Sequence, residues 1–154
     1  MTSINPALDA VVTALGSDAP LSAFCQAAWG KALTVLRTFR RRVEISTADL
    51  PICLLTCPKK VPGRYMDFQI EEAYTAMLYA GFQQKDPYAA QSQLMAFEEL
   101  IENALLSFRI SGVFPDGVQD IRPADAINDE GTQAPVYFLV KSVEIDALRD
   151  IPGG

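Results

Sequence analysis

Histidine is missing from all 154 residues of this sequence. Its absence removes Ser-His-Asp and Cys-His nucleophilic arrangements, and with them the commonest proton carrier near neutral pH. Cysteine is scarce too. Cys25, Cys53 and Cys57 make an odd number of thiols, which argues against a disulfide framework. Cys53 and Cys57 are spaced to share one face of a strand or helix, but no second cysteine pair or histidine completes a metal site. They read as small buried hydrophobes. The glycines are scattered singly apart from the terminal pair, so neither GxGxxG nor GxxxxGK[ST] occurs. No apolar run approaches the roughly 18 residues that cross a bilayer. The opening MTSINPALDAVVTALG has no basic stretch and contains Asp9, unlike a signal peptide. The chain is therefore expected to stay in the cytosol of the cell that makes it, without membrane, metal or cofactor. Carboxylate pairs and lysines remain as the only catalytic chemistry, and an enzyme is not expected.

What is present describes an ordinary globular protein: 49% hydrophobic and 21% charged residues, enough for one domain spanning residues 1–154. Residues 6–15 read as a helix, with Ile4, Leu8, Val11, Val12 and Leu15 at helical spacing and Asn5-Pro6 as cap and first turn. SDAPLSAFCQAAWGK suggests a second, short helix ending near Gly30. β-Branched and aromatic residues then predict a strand over 32–43 and a loop over EISTADLP. ICLLTC follows as a short strand bounded by prolines, and PKKVPGR as a turn. Met66, Phe68 and Ile70 alternate with Asp67, Gln69 and Glu71, as in a half-buried strand. AYTAMLYAGF continues it as a strand buried on both faces, with helix as the alternative because alanine and methionine are frequent.

The clearest helix is DPYAAQSQLMAFEELIENALLSF. Asp86 caps it, Pro87 opens it, and Leu94, Phe97, Leu100, Ile101, Ala104, Leu105 and Phe108 line one face. Glu98, Glu99 and Glu102 fall on the other. A solvated face explains these glutamates better than a catalytic carboxylate pair does. A strand over 118–122, the polar stretch PADAINDEGTQAP and a last strand VYFLVKSVEID complete the chain. INDEGTQ has turn chemistry but lacks the ligand spacing and final glutamate of a calcium loop. The order predicts an α+β domain: a mainly antiparallel sheet packed against a long amphipathic helix, with an N-terminal helix.

Laid out in this order, the sequence resembles the tail terminator and tail-completion proteins of long-tailed phages, the group typified by the lambda minor tail protein U. The resemblance rests on the N-terminal helix, the basic RTFRRR after the first strand, and ADLPICLLTCPKK. It continues through YMDFQIEEAYTAMLYAGF, the helix ending IENALLSF, and the NDEGTQAPVYFLVKSVEI turn-strand unit. It covers nearly the whole chain. In LTCPKK, lysines and a cysteine stand where acidic turn residues are more usual. The resemblance implies a non-enzymatic virion part: a ring, generally a hexamer, on the head-proximal end of the tail tube. Such a ring stops tube polymerisation and joins the head connector. The implied partners are further copies of the chain, the tail tube protein and a connector or neck protein, with DNA passing through the ring without sequence-specific binding. Another neck or head-tail connector protein is the nearest alternative. A small-molecule-binding α+β domain is a more distant one, with its pocket near Tyr65, Tyr74 and Tyr79.

Six of the thirteen Lys and Arg residues lie between Val35 and Lys60, in a chain of net charge −6. A sequence pI near 4.6 opposes phosphate binding over most of the surface, and so short a cluster would bind nucleic acid only weakly. Two readings stand against that one: a sheet edge blunted by charge, and one side of a subunit interface. In a head-to-tail ring each basic edge meets the next copy's acidic face, and arginine pairs carboxylates bidentately. The interface reading names Arg37, Arg40, Arg41, Arg42, Lys59 and Lys60 on one side. Glu98, Glu99 and Glu102, or Asp125, Asp129 and Glu130, stand on the other.

Overall fold

The computed structural model describes residues 1, 3–39 and 44–152. It is an α+β domain in which a five-stranded sheet carries its helices on one side. Helix α1 (Asn5–Ser17) keeps Pro6 in its first turn, although the cap position falls on Ile4 rather than Asn5. Helix α2 (Ala19–Trp29) starts where the Asp18 carboxylate accepts the Leu21 N–H at 3.0 Å. It stops at Gly30, whose φ of 67° suits a residue without Cβ. Helix α3 (Pro87–Ser111) is capped by Asp86, which accepts the Tyr88 N–H at 3.0 Å. The expected apolar stripe of α3 is buried at Leu94, Phe97, Ile101, Ala104 and Leu105.

The strands are β1 (Thr34–Leu36), β2 (Ile52–Met66), β3 (Gln69–Gln83), β4 (Val118–Asn128) and β5 (Val136–Asp150). They lie in the order β1-β2-β3-β5-β4, antiparallel except for the parallel β1–β2 pair. β3 and β5 pair along their whole lengths, so strand and not helix is the right reading of AYTAMLYAGF. Alternate residues of β3 (Tyr74, Ala76, Leu78, Ala80 and Phe82) enter the main core with the helices. Inside it Trp29 stacks on Phe82 at 4.6 Å and meets Phe97 edge-on at 5.2 Å. Each such ring buries on the order of 150–250 Å². A smaller cluster, Leu50, Ile52 and Leu54 with Leu36, Ile45 and Val136, forms the second core.

Several boundaries differ from the expectation. The first strand covers only three of the predicted residues, because Arg37 swings to helix α1 directly after it; residues 40–43 lie outside the described residues. PKKVPGR is not a turn but the middle of β2. Pro58 and Pro62 are tolerated because β1 covers only Ile52–Leu54, leaving the rest of β2 an edge strand, the place in a sheet where proline and bulges are accommodated. The pairing shifts register beside both prolines, between Thr56 and Lys59 and between Pro62 and Tyr65. The turn falls instead on Asp67-Phe68, which splits the Met66–Ile70 alternation between two strands. β4 runs on through PADAIN, its Pro123 again on an edge strand.

Candidate subunit interface

The two long edges of the sheet differ in charge. Beyond its contact with β1, β2 presents Lys59, Lys60 and Arg64 along an exposed edge. At the opposite edge, β4 carries exposed Asp125, and the turn after it carries Asp129 and exposed Glu130. Exposed Glu99 lies on α3, the helix packed beside β4. Basic side chains and prolines discourage indiscriminate edge-to-edge pairing. Opposite charges on opposite edges permit one specific pairing, between the basic edge of one copy and the acidic edge of the next.

On the basic side, Arg37 already has partners. Its guanidinium donates to Asp9 Oδ1 at 3.0 Å and also to the Asn5 side chain, tying the end of β1 to α1. Lys60 reaches Glu72 Oε2 at 3.2 Å. Lys59 forms no ion pair among the described residues. Arg40, Arg41 and Arg42 lie outside the described residues. On the acidic side, the expected solvated face of α3 holds for Glu99 alone. Glu98 and Glu102 turn to Lys141 of β5, whose ammonium lies 2.5 Å and 3.5 Å from their carboxylates and donates to the Ala124 carbonyl at 3.2 Å. The Lys141 side chain is 1% exposed, and a buried ammonium needs such partners. Asp129 shapes its own turn by accepting the Gly131 N–H at 3.1 Å. Glu130 sits at φ 53°, a left-handed conformation uncommon for a residue with a Cβ, and its N–H donates to Asn128 Oδ1 at 2.9 Å.

The structure adds residues that the sequence reading missed. Glu72, 1% exposed, accepts from Arg149 Nε and from the Tyr74 hydroxyl at 3.1 Å, with Lys60 at its other oxygen. Burial pushes its carboxyl up, but Arg149, Lys60 and Tyr74 outweigh that and hold it below the usual glutamate range. Period-two spacing was the available signal. Glu72 is in phase with Ile70 and Tyr74, and Lys141 with Leu139 and Val143, so both point inward.

The three tyrosines proposed to flank a pocket do not converge. Tyr65 is near the β2–β3 turn, and Tyr74 and Tyr79, an odd number of residues apart, take opposite faces of β3. Cys25 and Cys53 are buried, and desolvation raises both thiols, that of Cys25 to about 11. Cys57 is half-buried. Among the described residues no cluster of three or more Cys, Asp or Glu is placed to hold a metal ion. No helix among them is long and apolar enough to cross a membrane.

No protein-family model matches this chain, and no curated protein matches it either. Among solved structures, the fold is similar to a chain from the virion of a native gene transfer agent particle. The two share 14% sequence identity over 96% of this chain and 99% of that one, with a TM-score of 0.55.

Proposed function

We propose that this chain is a structural, non-enzymatic virion protein that assembles head-to-tail into a ring. Ring, position and partners follow the tail-terminator resemblance. The ring, a hexamer by that resemblance, caps the head-proximal end of the tail tube, ends its polymerisation and offers the joint to a head connector or neck protein. The observation that carries the ring is the charge difference between the two edges of one sheet, Lys59, Lys60 and Arg64 against Asp125 and Glu130. A heterologous contact of this kind closes into a ring when its rotation allows. Kinship of fold with a chain of a gene transfer agent virion supports a virion role.

Native mass together with negative-stain imaging of the purified chain tests this reading. A closed ring is expected, and replacing Arg40, Arg41 and Arg42 together by Ser should shift it towards smaller species in light scattering. A two-fold symmetric dimer would contradict the ring, and an assembly indifferent to the triple change would remove Arg40, Arg41 and Arg42 from the seam.

A further inference from the structure

The β2–β3 hairpin end carries two large exposed aromatic side chains, Tyr65 at the end of β2 and Phe68 in the turn, beside a cation. Tyr65 is 71% exposed, Phe68 61%, and the Arg64 side chain 72%; its guanidinium meets Glu71 Oε1 at 3.4 Å in an exposed pair that a partner's carboxylate can replace. Two large exposed aromatics three residues apart offer apolar area to a partner. Their frame is fixed. The Phe68 carbonyl accepts the Ile151 N–H at 2.7 Å, and Gln69 Nε2 donates to Asp150 Oδ1 at 3.1 Å. A knob held in place before docking loses little conformational freedom on binding.

A complementary cleft lies at the far end of β5, between the start of α3 and the β4–β5 turn. It measures about 560 Å³ and is walled by Leu94, Met95 and Tyr137, with Asn128 and Glu130 on the turn side. Met95 is exposed, and methionine adapts to aromatic rings. Among the described residues the Glu130 carboxylate makes no ion pair, and its backbone is held in the left-handed region by the turn. Within one copy the knob and the cleft cannot meet: β3 pairs Gln69 with Asp150 at one end of β5 and Gln83 with Val136 at the other.

We infer that the Tyr65/Phe68 knob of one copy inserts into the Leu94/Met95/Tyr137 cleft of the next, with Arg64 paired to Glu130. The occupant is a second copy of this chain. An aromatic, cationic knob matches a cleft whose apolar wall, Leu94, Met95 and Tyr137, faces a polar and acidic rim, and each copy carries both. The contact is heterologous and rests on the head-to-tail reading above, to which it adds an anchor. The exposed parts of the two rings can bury on the order of 200–330 Å². That is less than the roughly 800 Å² per partner of a standard interface, so the edge charges complete the seam.

The test places the photo-crosslinker benzoylphenylalanine at Phe68 in the full chain, with peptide mapping of the adducts and imaging of the same sample. Cross-links from position 68 to peptides containing Met95 or Tyr137 of another copy are expected. In the chain without the crosslinker, Arg64→Glu and Glu130→Arg should each weaken association at least tenfold, and together restore it, with unchanged circular dichroism. Rings whose cross-links map elsewhere overturn the knob and leave the ring. Knob-to-cleft cross-links in open filaments keep the knob and overturn the ring. A chain that stays monomeric across the concentration range, without intermolecular cross-links, overturns both.

Discussion

Lys141 and Glu72 are both buried on the helix-facing side of the sheet, yet they are neutralised from different directions. The Lys141 ammonium is met by Glu98 and Glu102 of α3, so its ion pairs fasten a helix to the sheet. The Glu72 carboxylate is met by Arg149 of β5 and Lys60 of β2, so its pairs fasten three adjacent strands at the end nearest the exposed turn. The comparison separates charges that hold the domain together from charges that stay exposed. Glu98, Glu102, Lys60, Arg37 and Arg64 have partners inside the chain, Lys60 and Arg64 through exposed side chains that a neighbour can still reach. Lys59, Glu99, Asp125 and Glu130 are exposed and make no ion pair among the described residues.

The largest effect is expected at Lys141. Glu98→Ala with Glu102→Ala leaves a buried ammonium with only the Ala124 carbonyl, and should destabilise the fold by about 3–5 kcal/mol in urea unfolding. Lys141→Met, which removes the charge and keeps the volume, should cost much less, within about 1 kcal/mol. A comparable loss from both changes would mean that packing rather than charge holds α3 there.

Glu72 should be less sensitive, because its cations come from two strands. Arg149→Ala leaves Lys60 and Tyr74 in place and should cost about 2 kcal/mol. The contribution of Glu72 also depends on pH. Its folded carboxyl is held below the usual range, so the unfolded chain takes up that proton first. The stability it supplies is complete above the usual glutamate value, about 4.3, and is lost as pH falls through the lower folded value. Urea midpoints measured from pH 6 down to pH 3 should fall less steeply for Glu72→Gln than for the parent chain.

The helices were legible in the sequence because capping residues and a 3.6-residue period are local signals. Asp86-Pro87 and the stripe from Leu94 to Phe108 sufficed for α3. The middle of β2 was not legible. Pro58, Pro62 and Gly63 carry turn chemistry, and only the tertiary fact that β1 stops opposite Leu54 makes them edge residues. The separation of structural from available charges was half legible. Strand phase points Glu72 and Lys141 inward, but no sequence pattern says that Lys141 meets α3 through Glu98 and Glu102 rather than through Glu99. The knob was hidden because Met66, Phe68 and Ile70 look like one alternating strand until the turn at Asp67-Phe68 divides them.

The smallest effect on folding, and the most direct test of head-to-tail assembly, comes from the exposed edge charges. One variant carries Lys59→Glu and Arg64→Glu, the other Asp125→Lys and Glu130→Lys, and each should change stability by only about 0.5 kcal/mol per site. Each variant then presents two edges of like charge to its own copies, whereas in a mixture every edge meets its opposite. Native mass spectrometry of the separate and mixed variants is the deciding measurement. The account predicts no ring from either variant alone and a ring of alternating copies from the equimolar mixture. A ring from one variant by itself, or none from the mixture when the parent chain forms one, would contradict it.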